Sequence, residues 1–95
     1  MSDVLDTALA ALQAKLPEGF SSTAKFCIEG EGAIIADPEG VRIGDDEADV
    51  TLTASADTFK GILEGDVNPT MAFMSGKLKV DGAMGLAMQL GAALA

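Results

Sequence analysis

Residues 71–82 place the end of a helix, a short strand and the start of another helix within twelve positions. The apolar run at 71–74 stops at a Ser-Gly pair, which is typical of a helix C-terminus. Over residues 77–80 lysine alternates with leucine and valine, a period of two that predicts a strand with one buried face. Asp81 is predicted to cap the next helix. A chain with this segment must pack two apolar helices against the strand between them.

The first half of the chain predicts one helix followed by strands. Leucines at positions 5, 9, 12 and 16 recur at helical spacing, so a helix is predicted over Asp3–Leu16 with Ser2 or Asp3 as its cap. Alternation and turn chemistry, including Asp-Pro-Glu-Gly at 37–40, predict short strands with short links. The strands are expected at residues 24–29, 33–36, 41–43 and 49–54. The short links predict an antiparallel meander. The inward face of the second strand is not assigned.

The second half predicts three helices and a fifth strand. Ser55 begins one helix, which ends before Gly65, and Asn68-Pro69 begins a short one. Because strands and helices are segregated along the chain, the predicted fold class is α+β, a single domain over residues 1–95. Its five-stranded, mostly antiparallel sheet carries the helices on one face. The other face is expected to meet water through Lys25, Glu29, Arg42, Asp49, Thr51, Thr53, Lys77 and Lys79.

Charge and cysteine content narrow the function classes. The net charge is −9, with eleven acidic and three basic residues in positions 1–49 and four acidic and three basic residues in positions 50–95. This balance argues against nucleic acid and against tight adsorption to anionic membranes. Cys27 is the one cysteine, so no internal disulfide can form. The acidic residues at the start of the chain do not resemble a signal peptide. The uncharged run at residues 82–95 is too short to span a membrane. We therefore predict a cytoplasmic protein.

Catalytic and metal-binding residues are scarce. The chain has no His and no Tyr, which removes the commonest general base and metal ligand. Cys27 has no His partner, and the acidic run 45–49 lacks the spacing of a calcium loop. An isomerase that uses Asp57 or Asp81 beside an apolar substrate remains an alternative, although helix capping accounts for both. We expect no enzyme activity, no cofactor and no metal site.

The last helix is predicted to be apolar all round. Met84 and Met88 lie on one side of it, and Gly85 and Gly91 cost up to about 1 kcal/mol each relative to alanine. A terminal helix without a polar face either lies in the core or faces a second apolar surface. This favours a ligand cavity over a dimer or membrane contact and over plain core packing, and we expect the helix to move when ligand binds.

Several motifs resemble the sterol carrier protein 2 family. They are Ala48–Ala54 before the second helix, Phe59-x-x-Ile62-Leu63-x-Gly65, Asn68-Pro69, and the most specific, Ala72-Phe73-Met74-Ser75-Gly76-Lys77-Leu78-Lys79-Val80-x-Gly82. The likeness covers most of residues 20–92. A domain that starts at Met1 resembles the free-standing bacterial-type members. The resemblance implies a five-stranded sheet covered by helices, with a hydrophobic tunnel between them.

The resemblance also implies a non-enzymatic lipid-binding or lipid-transfer protein. Its ligand would be a fatty acid, fatty acyl-CoA, polyprenyl compound or sterol-like lipid; the acidic charge and the absence of a peroxisomal address favour acyl or polyprenyl chains. A transient contact with a membrane or an enzyme, as a monomer or homodimer, is compatible with it. The alternative is an accessory module that docks on a lipid or quinone biosynthetic enzyme, or dimerises, through the last helix. The implied tunnel lining is Phe59, Ile62, Leu63, Met71, Phe73, Met74, Met84, Leu86, Ala87 and Met88.

Overall fold

The computed structural model describes residues 3–94, which form four helices and five strands. They are α1 (Asp3–Lys15), β1 (Ala24–Ile28), β2 (Gly32–Asp37), β3 (Gly40–Ile43), β4 (Val50–Ala54), α2 (Ala56–Glu64), α3 (Pro69–Met74), β5 (Leu78–Gly82) and α4 (Met84–Leu94). The predicted α+β class and the order of elements are confirmed. The capping side chains proposed for α1, Ser2 and Asp3, lie outside the part of the chain whose side chains are described.

The sheet order, β3-β2-β1-β4-β5, corrects the predicted meander. The first three strands do form one, but β4 pairs in parallel with β1, with Ala24 opposite Val50, and not with β3. The link between β3 and β4 must cross three strand spacings, about 14 Å. Its six residues, 44–49, can reach about 20 Å when extended, so a segment that resembles an acidic turn serves as a crossover.

The crossover covers part of the sheet face that was expected to meet water. Ile35, opposite Lys25 on that face, is fully buried, and a Cβ added at Gly44 would lie 3.5 Å from Cγ1 of Ile35. The Lys25 ammonium donates a 2.8 Å hydrogen bond to Asp45 on the crossover. The second strand therefore has buried residues on both faces, which explains why its pattern shows no single inward side.

The four helices cover the other face of the sheet and enclose the core. Phe26 of β1 and Phe59 of α2 are buried and pack edge to face, with ring centroids 6.3 Å apart. The leucine stripe of α1 packs over β2 and β3, and α3 and α4 lie over β4 and β5. Between residues 3 and 94, no helix is both long enough and apolar enough to cross a membrane.

The caps of α2 and α3 follow the sequence signals, whereas the predicted cap of α4, Asp81, does not. The Ser55 side chain accepts a hydrogen bond from the Thr58 N–H, so Ser55 caps α2 as predicted. Gly65 follows the end of α2, also as predicted, and has a left-handed backbone conformation. Asp81, predicted to cap α4, instead lies within β5 opposite Thr51. The strand continues two residues further than expected, to Gly82, and α4 starts at Met84.

The Asp-Pro-Glu-Gly turn between β2 and β3 contains an ion pair. Asp37, which is largely buried, accepts hydrogen bonds from Arg42 Nη2 at 2.8 Å and from the Glu39 N–H at 2.9 Å. The pKa of the Asp37 carboxyl lies below its usual value, chiefly because Arg42 donates a hydrogen bond to it. The hydrogen bond from the Glu39 N–H lowers this pKa further.

This shift predicts acid sensitivity. The pKa of Asp37 is near about 4 in the unfolded protein and lower in the folded protein, so between these two values the unfolded state binds more protons. The stabilisation of the folded protein by Asp37 is therefore complete above about pH 4 and is lost as the pH falls below that value. The unfolding free energy of the wild type should therefore fall more steeply in acid than that of Asp37→Asn, as measured by urea titrations followed by circular dichroism. Arg42→Met, which removes the donor, should flatten the profile too. Parallel profiles for all three proteins would contradict the prediction.

Candidate functional site

An apolar groove lies between α3 and α4, above the β4–β5 edge of the sheet. Its volume is about 290 Å³, close to the lower end of the range of ligand pockets, about 300 Å³. We call it the α3–α4 groove. Its floor consists of Leu52, Leu78 and Val80, and its walls of Pro69, Thr70, Phe73 and Met74 on α3 and Met84, Ala87 and Met88 on α4.

Local sequence signals position the two walls. The Asn68 side chain accepts hydrogen bonds from the N–H groups of Thr70 and Met71, and Pro69 occupies the first turn of the helix. These two signals fix the start of α3. The chain then reverses through a turn in which the Lys77 N–H donates to the Ala72 carbonyl at 2.9 Å. Strand β5 follows, with Leu78 and Val80 beside Ala54 and Leu52 of β4 on the helix-covered face. The floor of the groove is therefore made by the same segment that separates its walls.

The mouth of the groove is apolar and exposed. Met74 is 78% exposed and Met88 74%, while Met84 and Phe73 are 48% and 40% exposed. Among the residues that line the groove, Thr70 carries the one polar side chain, and none is charged. The groove can therefore bury an apolar chain but offers no fixed charge to a head group.

A second cavity lies between α1 and α2 over the end of β1. Its volume is about 340 Å³, and small residues such as Ala8, Ala11 and Ala56 leave the space open. We call it the α1–α2 cavity. It shares no lining residue with the α3–α4 groove. Its other lining residues are Val4, Thr7, Ile28, Asp57, Phe59, Lys60, Leu63 and Glu64.

The ten residues of the expected lining are distributed over three places. Those in the α3–α4 groove are Phe73, Met74, Met84, Ala87 and Met88. Phe59 and Leu63 line the α1–α2 cavity. Ile62 is buried in the core, Leu86 is half-buried, Met71 is 68% exposed, and none of these three lines either cavity.

Sequence reasoning missed the floor of the groove and the start of α3. The missed residues are Leu52, Pro69, Thr70, Leu78 and Val80. The floor could have been found, because the alternation of β4 and β5 already assigns Leu52, Leu78 and Val80 to the helix-covered face.

The residues considered for chemistry lie away from the groove. Asp81 is exposed in β5 opposite Thr51, on the sheet face that the helices do not cover. Asp57 is exposed in the first turn of α2, at the rim of the α1–α2 cavity. Cys27 is half-buried beside Thr53 in the sheet. Within residues 3–94, no group of three acidic or cysteine side chains is arranged to hold a metal ion.

The fold and the site define a small α+β domain with open apolar clefts between its sheet and its helices. The model of the SCP-2 sterol transfer family matches residues 5–95, and the chain belongs to this family. This confirms the resemblance identified from the motifs at residues 48–82.

Individual relatives agree with this assignment. The chain is 53% identical over 45 residues to hydroxysteroid dehydrogenase-like protein 2 of Bos taurus, covering 47% of this chain and 11% of the relative. It is 39% identical over 61 residues to human sterol carrier protein 2, covering 64% of this chain and 10% of the relative. The chain thus spans about a tenth of the length of these relatives.

A solved structure matches over the full length of the chain. It is sterol carrier protein 2 of Aedes aegypti in complex with the C16 fatty acid palmitate, at a TM-score of 0.79 and 25% identity. The match covers all of this chain and 97% of that one. The α+β fold of this chain is therefore shared with that protein.

Proposed function

We propose that this protein binds and carries a lipid whose apolar chain lies in the α3–α4 groove. The observation that carries the proposal is the groove itself, whose ten lining side chains include one hydroxyl and no charge. The palmitate complex of the similar Aedes aegypti protein supports the same class of ligand. Fatty acids, fatty acyl-CoA and polyprenyl compounds all contain such a chain.

Burial of the chain provides the binding energy. Each buried methylene contributes about 0.8 kcal/mol, so about eight of them contribute about 6 kcal/mol. That free energy corresponds to a dissociation constant between the micromolar and millimolar ranges. The methionines at the mouth have flexible side chains that adapt to chains of different shape. Because nothing that lines the groove titrates, we propose a carrier and not a catalyst.

Hydrogen exchange with and without palmitate tests where the chain binds. Palmitate should slow amide exchange in residues 70–74 and 84–88, because a chain in the groove holds α3 and α4 against β5, and should leave residues 4–11 unchanged. Ala11→Phe, which fills the α1–α2 cavity, is the matched control and should bind palmitate as the wild type does in a calorimetric titration.

Two results would contradict the proposal. Protection confined to residues 4–11, together with loss of binding in Ala11→Phe, would locate the ligand in the α1–α2 cavity. The lipid-carrier function would be refuted if the delipidated protein gave no heat of palmitate binding and the protein as purified, before delipidation, released no lipid into organic solvent.

A further inference from the structure

The outer edge of β5 presents backbone groups that the sheet does not use. The Ala83 N–H donates to the Asp49 carbonyl at 3.0 Å, at the next position of the β4–β5 register, so the hydrogen-bonded pairs fall at the odd-numbered residues of β5. The even-numbered residues, Leu78, Val80 and Gly82, therefore direct their N–H groups away from β4. Within residues 3–94, no backbone group outside the sheet bonds to these three residues.

The β3 edge of the sheet is better protected. There the Val41 carbonyl accepts a 3.1 Å hydrogen bond from Gln13 Nε2 of α1. Strand β3 also has four residues and β5 has five, and short edge strands discourage pairing with another chain. Charged side chains are the other common protection of a sheet edge. The two charges of β5, Lys79 and Asp81, therefore decide what its edge accepts.

A second copy of β5 matches this edge in one register. Two strands related by a twofold axis pair antiparallel, and the ladder forms when outward-facing residues lie opposite each other. Pairing centred on Val80 meets this condition and places Lys79 opposite Asp81 of the partner subunit, on the exposed sheet face. Pairing centred on residue 79 or 81 would instead place like charges opposite each other, which is unfavourable. The charges of β5 thus favour one alignment of two copies.

We propose that two copies of this chain associate through β5 and form one continuous ten-stranded sheet. Val80 exchanges two hydrogen bonds with Val80 of the partner subunit, and each Gly82 N–H donates to the partner's Leu78 carbonyl. Lys79 and Asp81 of each copy form ion pairs with the partner's Asp81 and Lys79. Both the unused backbone groups and the exposed charges of the strand are then satisfied by the same alignment.

The residues next to β5 agree with this alignment. Lys77 comes to lie opposite Ala83 of the partner subunit, which pairs with Asp49, so a lysine again approaches an acidic residue. Although each copy carries a net charge of −9, repulsion between exposed charges is largely screened beyond about 8 Å at physiological salt. The proposal does not depend on the lipid-carrier function, because neither Lys79 nor Asp81 lines the α3–α4 groove.

Exchange of the two charges tests the alignment. At physiological salt the wild type should sediment as a dimer at micromolar concentration. Lys79→Asp and Asp81→Lys should each raise the dimer dissociation constant at least about tenfold, because like charges then lie opposite each other. An equimolar mixture of these two variants should form a heterodimer in native mass spectrometry, since each pair again joins Asp to Lys. The matched control is Lys60→Asp, which makes the same charge change at an exposed residue of α2 and should dimerise as the wild type does.

Proline at position 80 tests the backbone pairing. Because the Val80 N–H points away from β4, Val80→Pro should keep the circular dichroism spectrum of the wild type. It should raise the dimer dissociation constant at least about thirtyfold, because two carbonyls at the centre of the seam lose their donors. In the unmodified protein the Val80 amide should exchange slowly, and in Lys79→Asp it should exchange fast. The amides of residues 79 and 81, which bond to β4, should stay protected in both proteins.

Three outcomes would overturn the proposal. The first is a wild type that stays monomeric throughout the micromolar range. The second is a dimer that persists in Lys79→Asp, Asp81→Lys and Val80→Pro, which would assign the interface to another surface. The third is a mixture of the two charge variants that forms no heterodimer. A dimer that behaves as expected but does not bind palmitate would instead refute the lipid-carrier function alone, so the two failures are distinguishable.

Discussion

Replacing Ala87 by phenylalanine should weaken palmitate binding by at least about tenfold, because the ring would occupy space that the acyl chain needs. The α3–α4 groove is near the lower size limit for ligand pockets and has no room for both. Ala87 is half-buried on α4 and lines the α3–α4 groove, about 290 Å³ in volume, opposite Phe73 of α3. The added ring can enter the groove without entering the closed core, so the fold should persist. Calorimetric titration of delipidated protein with palmitate measures the effect.

Ala92→Phe is the matched control for this prediction. Ala92 is an exposed residue of the same helix and lines neither cavity. It should therefore bind palmitate with wild-type affinity. If Ala87→Phe also retained wild-type affinity, the acyl chain would have to bind elsewhere, and the α3–α4 groove would lose its proposed role.

Local signals predicted the elements of this fold well, because each depends on a few neighbouring residues. Ser55, Asn68 and Pro69 begin helices where capping chemistry requires, and the Asp-Pro-Glu-Gly turn joins β2 to β3. Long-range pairing was not accessible in the same way. Short links are compatible both with a meander and with a six-residue crossover, and the parallel pairing of β4 with β1 shows that the crossover forms.

Residues on both walls of the α3–α4 groove were predicted from the sequence, whereas the α1–α2 cavity was not. Methionines on an unusually apolar helix identified Met84 and Met88, because such residues have no explanation in a solvated helix face. The α1–α2 cavity could not be foreseen, since the alanines that open it, Ala8, Ala11 and Ala56, are also ordinary helix formers. A cavity depends on what two distant elements fail to fill, and spacing within one element does not contain that information.

Gly82→Ala should lower the free energy of unfolding by about 3 kcal/mol. A left-handed backbone conformation costs a non-glycine residue about 1–2 kcal/mol, and overpacking adds about 1–3 kcal/mol. Gly82 ends β5 with φ +100°, and a Cβ there would overlap the carbonyl oxygen of Asp49. The adjacent Ala83 N–H donates a 3.0 Å hydrogen bond to that same oxygen, so the clash cannot relax without loss of the bond. Urea unfolding followed by circular dichroism measures the change.

Gly85→Ala, three residues later, should have the opposite sign. No atom lies within 4 Å of a Cβ added at Gly85, which is exposed in the first turn of α4. The substitution should raise the free energy of unfolding by up to about 1 kcal/mol, because alanine loses less backbone entropy in a helix. If both variants were stabilised, the turn into α4 would not need a left-handed residue. If both were destabilised, α4 would pack more tightly at Gly85 than its open surroundings allow. Opposite signs would show that Gly82 fixes how α4 leaves the sheet, and with it the position of the groove wall that carries Met84, Ala87 and Met88.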